Sequence, residues 1–258
     1  MASDPLFAFE LDSGRLCLDF VNTSSRSSGE HLHSYADLVA FARQAGLFSP
    51  DDAAWLTAEG ERDPHAAAGV LRRATNLREA LRAIFSAIAA DGRPSSADLA
   101  LLNADLANSL PHARVLPSNL KNGGYVWGWH GRNMDAPVWP ISRSAADLLV
   151  DDQDRPRIRT CNAPDCAWLF VDTSKNRSRQ WCSMTSCGNR EKARRHYQRL
   201  RAQRDDPAPA AATGHAAAAA AAAEPGARIG AAHGSGGSPS PAPAARARRG
   251  GGASRRTP

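Results

Sequence analysis

Apolar side chains recur at helical spacing through the first half of this chain. Ser34 precedes Tyr35-Ala-Asp-Leu-Val-Ala-Phe-Ala-Arg-Gln-Ala, and Gly46 closes it. That order predicts an N-capped amphipathic helix with a C-terminal glycine. Ser49-Pro50-Asp51-Asp52 opens a second helix, with proline at its first position. From Pro64 to Ala90 the residues Val70, Leu71, Ala74, Leu77, Leu81, Ile84, Phe85 and Ile88 mark one face of a long third helix. Ser95 or Ser96 caps a fourth, running to Leu110. Ahead of them all, residues 15–21 alternate and are rich in strand formers, which predicts a short strand. Cys17 on that strand is expected to be a buried small hydrophobe.

The pattern changes after residue 112. Ala113-Arg-Val-Leu-Pro117, then Lys121-Asn-Gly-Gly124, then Tyr125-Val-Trp-Gly-Trp129 predict a β-hairpin with a glycine turn. A helix is expected over Pro137 to Leu149. The acidic Asp151-Asp152-Gln153-Asp154 and Pro156 then mark a boundary. Trp168 to Asp172 reads as a strand, residues 173–179 as a polar turn, and Arg190 to Arg204 as a helix with Gly188-Asn189 near its N-cap. Residues 205–258 are almost entirely Ala, Gly, Pro, Ser and Arg, with an alanine run from Ala216 to Ala223, and are expected to be a disordered tail. The expected fold class is α+β: a mainly helical N-terminal domain over 1–154 with a short strand and a hairpin, then a small four-cysteine module over 155–204 ending in a basic helix.

Composition narrows the setting. A hydrophobic content of 42% suffices for a packed core. No apolar run reaches the roughly 18 residues that span a bilayer. Met1 to Glu10 lacks a basic head followed by an apolar run, so no secretory signal is expected and the chain is placed in the cytoplasm, associated with the nucleoid. The net charge of +6 hides a division. Residues 1–154 carry 13 basic and 20 acidic side chains, whereas residues 155–204 carry 13 basic and 3 acidic. A cationic block on an acidic body points to a polyanionic partner for that block alone.

The cationic block holds the most specific chemistry. Cys161 and Cys166 form one pair, Cys182 and Cys187 another, each with four intervening residues, and fifteen residues separate the pairs. Four thiolates in two knuckles make a tetrahedral site for one structural Zn²⁺, with no position left for substrate. The strand over 168–172 would pack Trp168 or Phe170 beneath the metal.

Nucleic acid is the expected partner, duplex DNA first. The candidate contacts are Arg177, Arg179, Arg190, Lys192, Arg194, Arg195, Arg199 and Arg201, with Asn189 and Gln198 as weaker base readers. Arg190 and Asn189 equally suit a structural role tying the zinc loops together. Ala193, Tyr197 and Leu200 would be the narrow side of the helix that packs on the knuckle. Two alternatives stand beside DNA. One is an RNA-binding module that uses Trp181 or Tyr197 for stacking. The other is a redox or protein-interaction switch built on the zinc thiolates.

These residues also carry a family resemblance. Cys161-(four)-Cys166, Phe170-x-Asp172-x-Ser174 and Arg179-x-Trp181-Cys182-Ser183-Met184-x-x-Cys187-Gly188-Asn189-Arg190-x-Lys192 resemble the CGNR zinc finger over about fifty residues. The resemblance implies DNA binding, and it implies that the finger follows an ABATE domain, a stress-induced transcription regulator. Leu16-Cys-Leu-Asp-Phe-Val-Asn-Thr23 is similar to that domain's opening motif, and the helix carrying Leu77-Arg78-Glu-Ala-Leu81-Arg82-x-Ile84-Phe85 to its central helix.

In the N-terminal domain, Asp19, Asn22 and Arg78 are polar groups beside apolar positions. They read either as a small-molecule effector pocket or as a buried network in which Arg78 pairs with Asp19. Tyr125, Trp127, Trp129 and Trp139 either line a pocket or pack the hairpin. His31 and His33 lack the partners of a metal site. No catalytic constellation is present, so no enzyme is expected. A lone finger binds DNA modestly, which would suit a homodimer through residues 1–150, though the sequence does not fix the oligomeric state.

Overall fold

The structure, a computed structural model, describes residues 8–118 and 123–205. The expected tail, from residue 206 on, and part of the hairpin turn, Lys121 and Asn122, lie outside the described residues. The chain begins with helix α1 (Leu16–Val21), then a two-residue strand pair, β1 (Ser24–Ser25) with β2 (Gly29–Glu30). Four helices follow: α2 (Tyr35–Gln44), α3 (Pro50–Arg62), α4 (Pro64–Ala89) and α5 (Ser96–Ser109). Hairpin β3 (Ala113–Pro117) with β4 (Tyr125–Trp129) leads to α6 (Trp139–Val150). A third antiparallel pair, β5 (Ile158–Thr160) with β6 (Leu169–Val171), precedes the C-terminal helix α7 (Asn189–Asp205). The fold is α+β, mostly helical with small antiparallel strand pairs.

The helix starts follow from local chemistry. Ser34 accepts from the Asp37 N–H, and the Asp37 carboxylate accepts from the Ser34 N–H, completing a capping box. Ser49, Asp63 and Ser95 cap α3, α4 and α5, each side chain accepting from the backbone N–H three residues on. Gly46 ends α2 at φ +73°, a conformation that costs residues with a Cβ about 1 kcal/mol or more. The predicted hairpin is present, in the register Val115 opposite Trp127.

The strand expected at residues 15–21 is instead helix α1. Cys17, Leu18, Phe20 and Val21 are all fully buried, on both sides of the element. A short apolar run buried all round carries no periodicity that separates strand from helix. The Asp19 carboxylate accepts from the Ser13 N–H at 3.0 Å and so ties the chain ahead of the helix to its first turn. The Cys17 N–H donates to the Ser144 Oγ of α6 at 3.2 Å.

Helix α4 is the axis of the body, packed by α1, α2, α3, α5 and β5. Its buried face carries Val70, Ala74, Leu77, Leu81, Ile84 and Phe85. The core that they build with Phe20, Phe41 and Leu38 also takes in Ile158, Leu169 and Val171 from the C-terminal strand pair. The described residues, 8–118 and 123–205, thus form one compact unit. Strand β6 is buried at every position and alternates between two cores. Leu169 and Val171 face the main one, and Phe170 faces the cysteine cluster.

Candidate metal centre

The four cysteines reach one point from three short elements. Strand β5 runs directly into Cys161, whose N–H donates to the Trp168 carbonyl at 2.8 Å. The chain turns through Cys166, with its N–H on the Ala163 carbonyl at 3.1 Å, and leaves through Ala167 at φ +60°. Of the second pair, Cys187 lies on a turn, Met184–Gly188, that opens onto α7, and Cys182 stands two residues ahead of that turn. A Cβ at Gly188 would stand 2.8 Å from the Met184 Sδ and 3.3 Å from the Trp181 ring, so the close wrap there suits glycine. The Asn162 N–H donates to the Gln180 carbonyl at 3.0 Å, joining the two knuckles.

Between the knuckles Asp172 organises the loop. Its carboxylate accepts from the Ser174 N–H at 2.9 Å, the Ser174 hydroxyl at 2.6 Å and the Arg179 N–H at 3.0 Å. Burial pushes this carboxyl up, but the hydrogen bonds outweigh it and hold it below its usual range. Sequence reasoning gave Asp172 no such role. The signal was there, since an Asp two residues before a Ser is the pattern of a local turn. Glu191, buried at the first turn of α7 and paired with Arg194 at 2.8 Å, was also missed.

The thiol sulfurs of Cys161, Cys166, Cys182 and Cys187 lie within 4.8 Å of one another, and all four residues are buried. None is in a disulfide. Cys166 and Cys182 are 3.6 Å apart at sulfur, and Cys182 and Cys187 are 3.5 Å apart. Thiolates bound about 2.3 Å from a shared tetrahedral zinc would stand about 3.8 Å apart. Hydrogen bonds from Cys166 and Cys182 pull the Cys161 thiol far down, and the same bonds push Cys166 up to about 12 and Cys182 higher still. One thiolate therefore opposes ionisation of its neighbours, and a divalent cation supplies the charge that lets all four ionise. Phe170 and, partly, Trp168 and Trp181 close the cluster from below. The donor set fits one structural zinc.

Two family models match the chain. One, ABATE, described as "Putative stress-induced transcription regulator", covers residues 14–152. The other is the CGNR zinc finger, over residues 157–200. The chain belongs to the ABATE family. No curated protein matches the sequence. The ABATE and CGNR descriptions agree with a zinc-binding regulatory role, and neither names an enzyme family. No helix among the described residues is long and apolar enough to cross a membrane.

The candidate contact residues of this ABATE protein divide into two groups. Arg179 is occupied: its guanidinium lies 4.4 Å from the Phe170 ring centroid, and donates to the Trp181 carbonyl at 3.0 Å and to the Cys182 carbonyl. Arg190 reaches the Cys187 sulfur at 3.3 Å and Asp165 at 3.1 Å, and the Asn189 amide donates to the Thr185 carbonyl at 3.4 Å. Lys192, Arg194, Arg195, Arg199 and Arg201 are exposed on α7, and Arg177 is exposed in the loop. Arg195 lies over the Trp181 ring at 5.7 Å.

Two expectations are corrected. Ala193, Tyr197 and Leu200 do not pack on the knuckle: all three are exposed, Tyr197 at 66%. Among the described residues no apolar partner covers them. Arg78 does not pair with Asp19. Its fork donates to both carboxylate oxygens of Glu30, with the first contact at 2.7 Å, and to the Thr23 hydroxyl at 3.0 Å. Asp19 is engaged by Ser13 instead. Glu30, 48 residues from Arg78, gave no local signal. Asp19 and Asn22 line a cavity of about 210 Å³ with Phe9, Thr23 and Trp168, and Arg78 does not reach it.

Proposed function

We propose that this zinc-binding regulator acts by binding duplex DNA through α7. The observation that carries the proposal is the exposure of every residue from Lys192 to Arg201, five of them basic, on a helix that starts two residues after the last cysteine. A 17-residue helix is roughly 25 Å long and of a width that the major groove admits. Its one acidic residue before Asp205, Glu191, is buried and neutralised by Arg194. The surface offered to a polyanion is therefore almost purely cationic. The zinc cluster anchors the helix at its start, and the ABATE domain serves as the sensor or interaction part.

The test is selection of bound sequences from a random duplex pool by the zinc-loaded full chain near physiological salt. A recovered motif establishes a sequence-specific regulator, and twofold symmetry in it reports two copies on the site. A pool without enrichment overturns the sequence-specific reading. The exposed Tyr197 among these arginines favours RNA as the second reading, because its ring offers a face on which an unpaired base stacks. Competition between duplex DNA and structured RNA separates the two.

A further inference from the structure

A cavity of about 520 Å³ lies between the start of α3 and strand β4, and none of its lining residues belongs to the finger. Its volume falls in the range of small-molecule sites. Three indoles line it: Trp55 of α3, and Trp127 and Trp129 of β4. The aromatic group flagged in the sequence is thereby divided. Tyr125 stands in solvent at 76% exposure, Trp139 is buried and stacked on His112 at 3.8 Å, and the other two tryptophans face the cavity.

The polar groups at its rim are unequal. The Asp52 carboxylate is already engaged, accepting from the Ser49 hydroxyl at 2.7 Å within the α3 cap. Arg132 lies over the Trp55 ring at 5.4 Å and has no carboxylate or hydrogen-bond partner among the described residues. The Asn133 side-chain oxygen accepts from the Asp135 N–H at 2.8 Å, which leaves its amide donors without a partner among the described residues. Arg132 and Asn133 thus bring unused donors to an aromatic wall.

We propose that this cavity binds a planar aromatic carboxylate. The ring lies against the indoles of Trp55, Trp127 and Trp129, and the carboxylate is held by the Arg132 fork, with the Asn133 amide beside it. A cationic ligand does not suit the site, because Arg132 beside Trp55, and Arg143 beside Trp127 at 4.0 Å, already place positive charge there. The proposal is independent of the DNA-binding reading, since neither the cavity nor its test involves α7.

The test is titration of the zinc-loaded full chain with naphthoate, followed by calorimetry, with neutral naphthamide as the matched control. Saturable naphthoate binding is expected, weakened about tenfold both by the amide and by Arg132→Gln, as loss of a charge-assisted hydrogen bond requires. Trp55→Leu should weaken both ligands alike. Arg199→Gln on α7 should change neither. Arg132 is exposed, so its replacement leaves the fold intact. No saturable binding, equal binding of acid and amide, or naphthoate binding unchanged in Arg132→Gln would each overturn the proposal.

Discussion

Asn22 holds both backbone groups of Leu169. Its side-chain amide donates to the Leu169 carbonyl at 2.9 Å, and its side-chain oxygen accepts from the Leu169 N–H at 3.0 Å. A side chain from the end of α1 thus completes the hydrogen bonding of β6. Close by, the Val171 N–H donates to the Ser13 carbonyl at 2.8 Å. The strand that floors the cysteine cluster is in this way stitched to the ABATE domain on the edge away from β5.

Asn22→Ala should leave two buried backbone groups without partners. A loss of about 2–4 kcal/mol is expected, measured by denaturant unfolding of the zinc-loaded protein. A loss of under half a kilocalorie would mean that water replaces the amide, and that the stitch contributes little.

Glu30→Ala should strand Arg78, which is only 3% exposed at its side chain. Because Glu30 itself is half-buried, the expected cost is about 2–4 kcal/mol, below that of a fully buried pair. The double variant Arg78→Met with Glu30→Ala should recover part of the loss. Equal loss in the single and double variants would place the stabilisation elsewhere.

Burial raises the Asp19 carboxyl from its ordinary 3.8 to about 6, against the hydrogen bonds from Ser13. The folded state therefore holds this proton more tightly than the unfolded state between those values. Stability from this group is fully present below about pH 4, falls as pH rises toward 6, and is level above. Asp19→Asn keeps an oxygen to accept from Ser13 and removes the charge. At pH 7 the variant should be more stable than the parent, by at most about 3 kcal/mol, and at pH 4 the two should converge. The check is the difference in unfolding midpoint at the two pH values.

Removal of zinc by a chelator, or Cys182→Ser, should leave thiols that cannot ionise together and so cannot close the cluster. Hydrogen exchange should then rise over 161–188 and along α7, while α2 to α5 stay protected. Protection of the cysteine turns without metal would show that packing on Phe170 alone holds them.

For α7 the expectation is electrostatic. Arg199→Ala and Arg201→Ala, both exposed, should weaken DNA binding across sequences and lower the slope of log K against log salt by about one each. Arg179→Ala should instead lower stability, because its guanidinium joins Phe170, Trp181 and Cys182. Unchanged salt slopes in the first two would remove α7 from the interface.

The sequence by itself determined what depends on neighbours along the chain. Ser34, Ser49 and Ser95 announce their helices because a cap and the N–H it binds are three residues apart. The cysteine spacing announces the zinc site because each knuckle is one turn. Tertiary structure alone decided what depends on distant partners. Whether Leu16–Val21 became strand or helix rested on its being enclosed on both sides. Arg78 met Glu30 rather than Asp19 because α4 passes the β1–β2 pair with its buried face toward it. Asn22 found Leu169 across 147 residues, and α7 stands exposed because nothing apolar in the described fold lies opposite Tyr197 and Leu200. Residue type and spacing encode local hydrogen bonds, whereas long-range pairing is settled only when all the buried surfaces compete for one core.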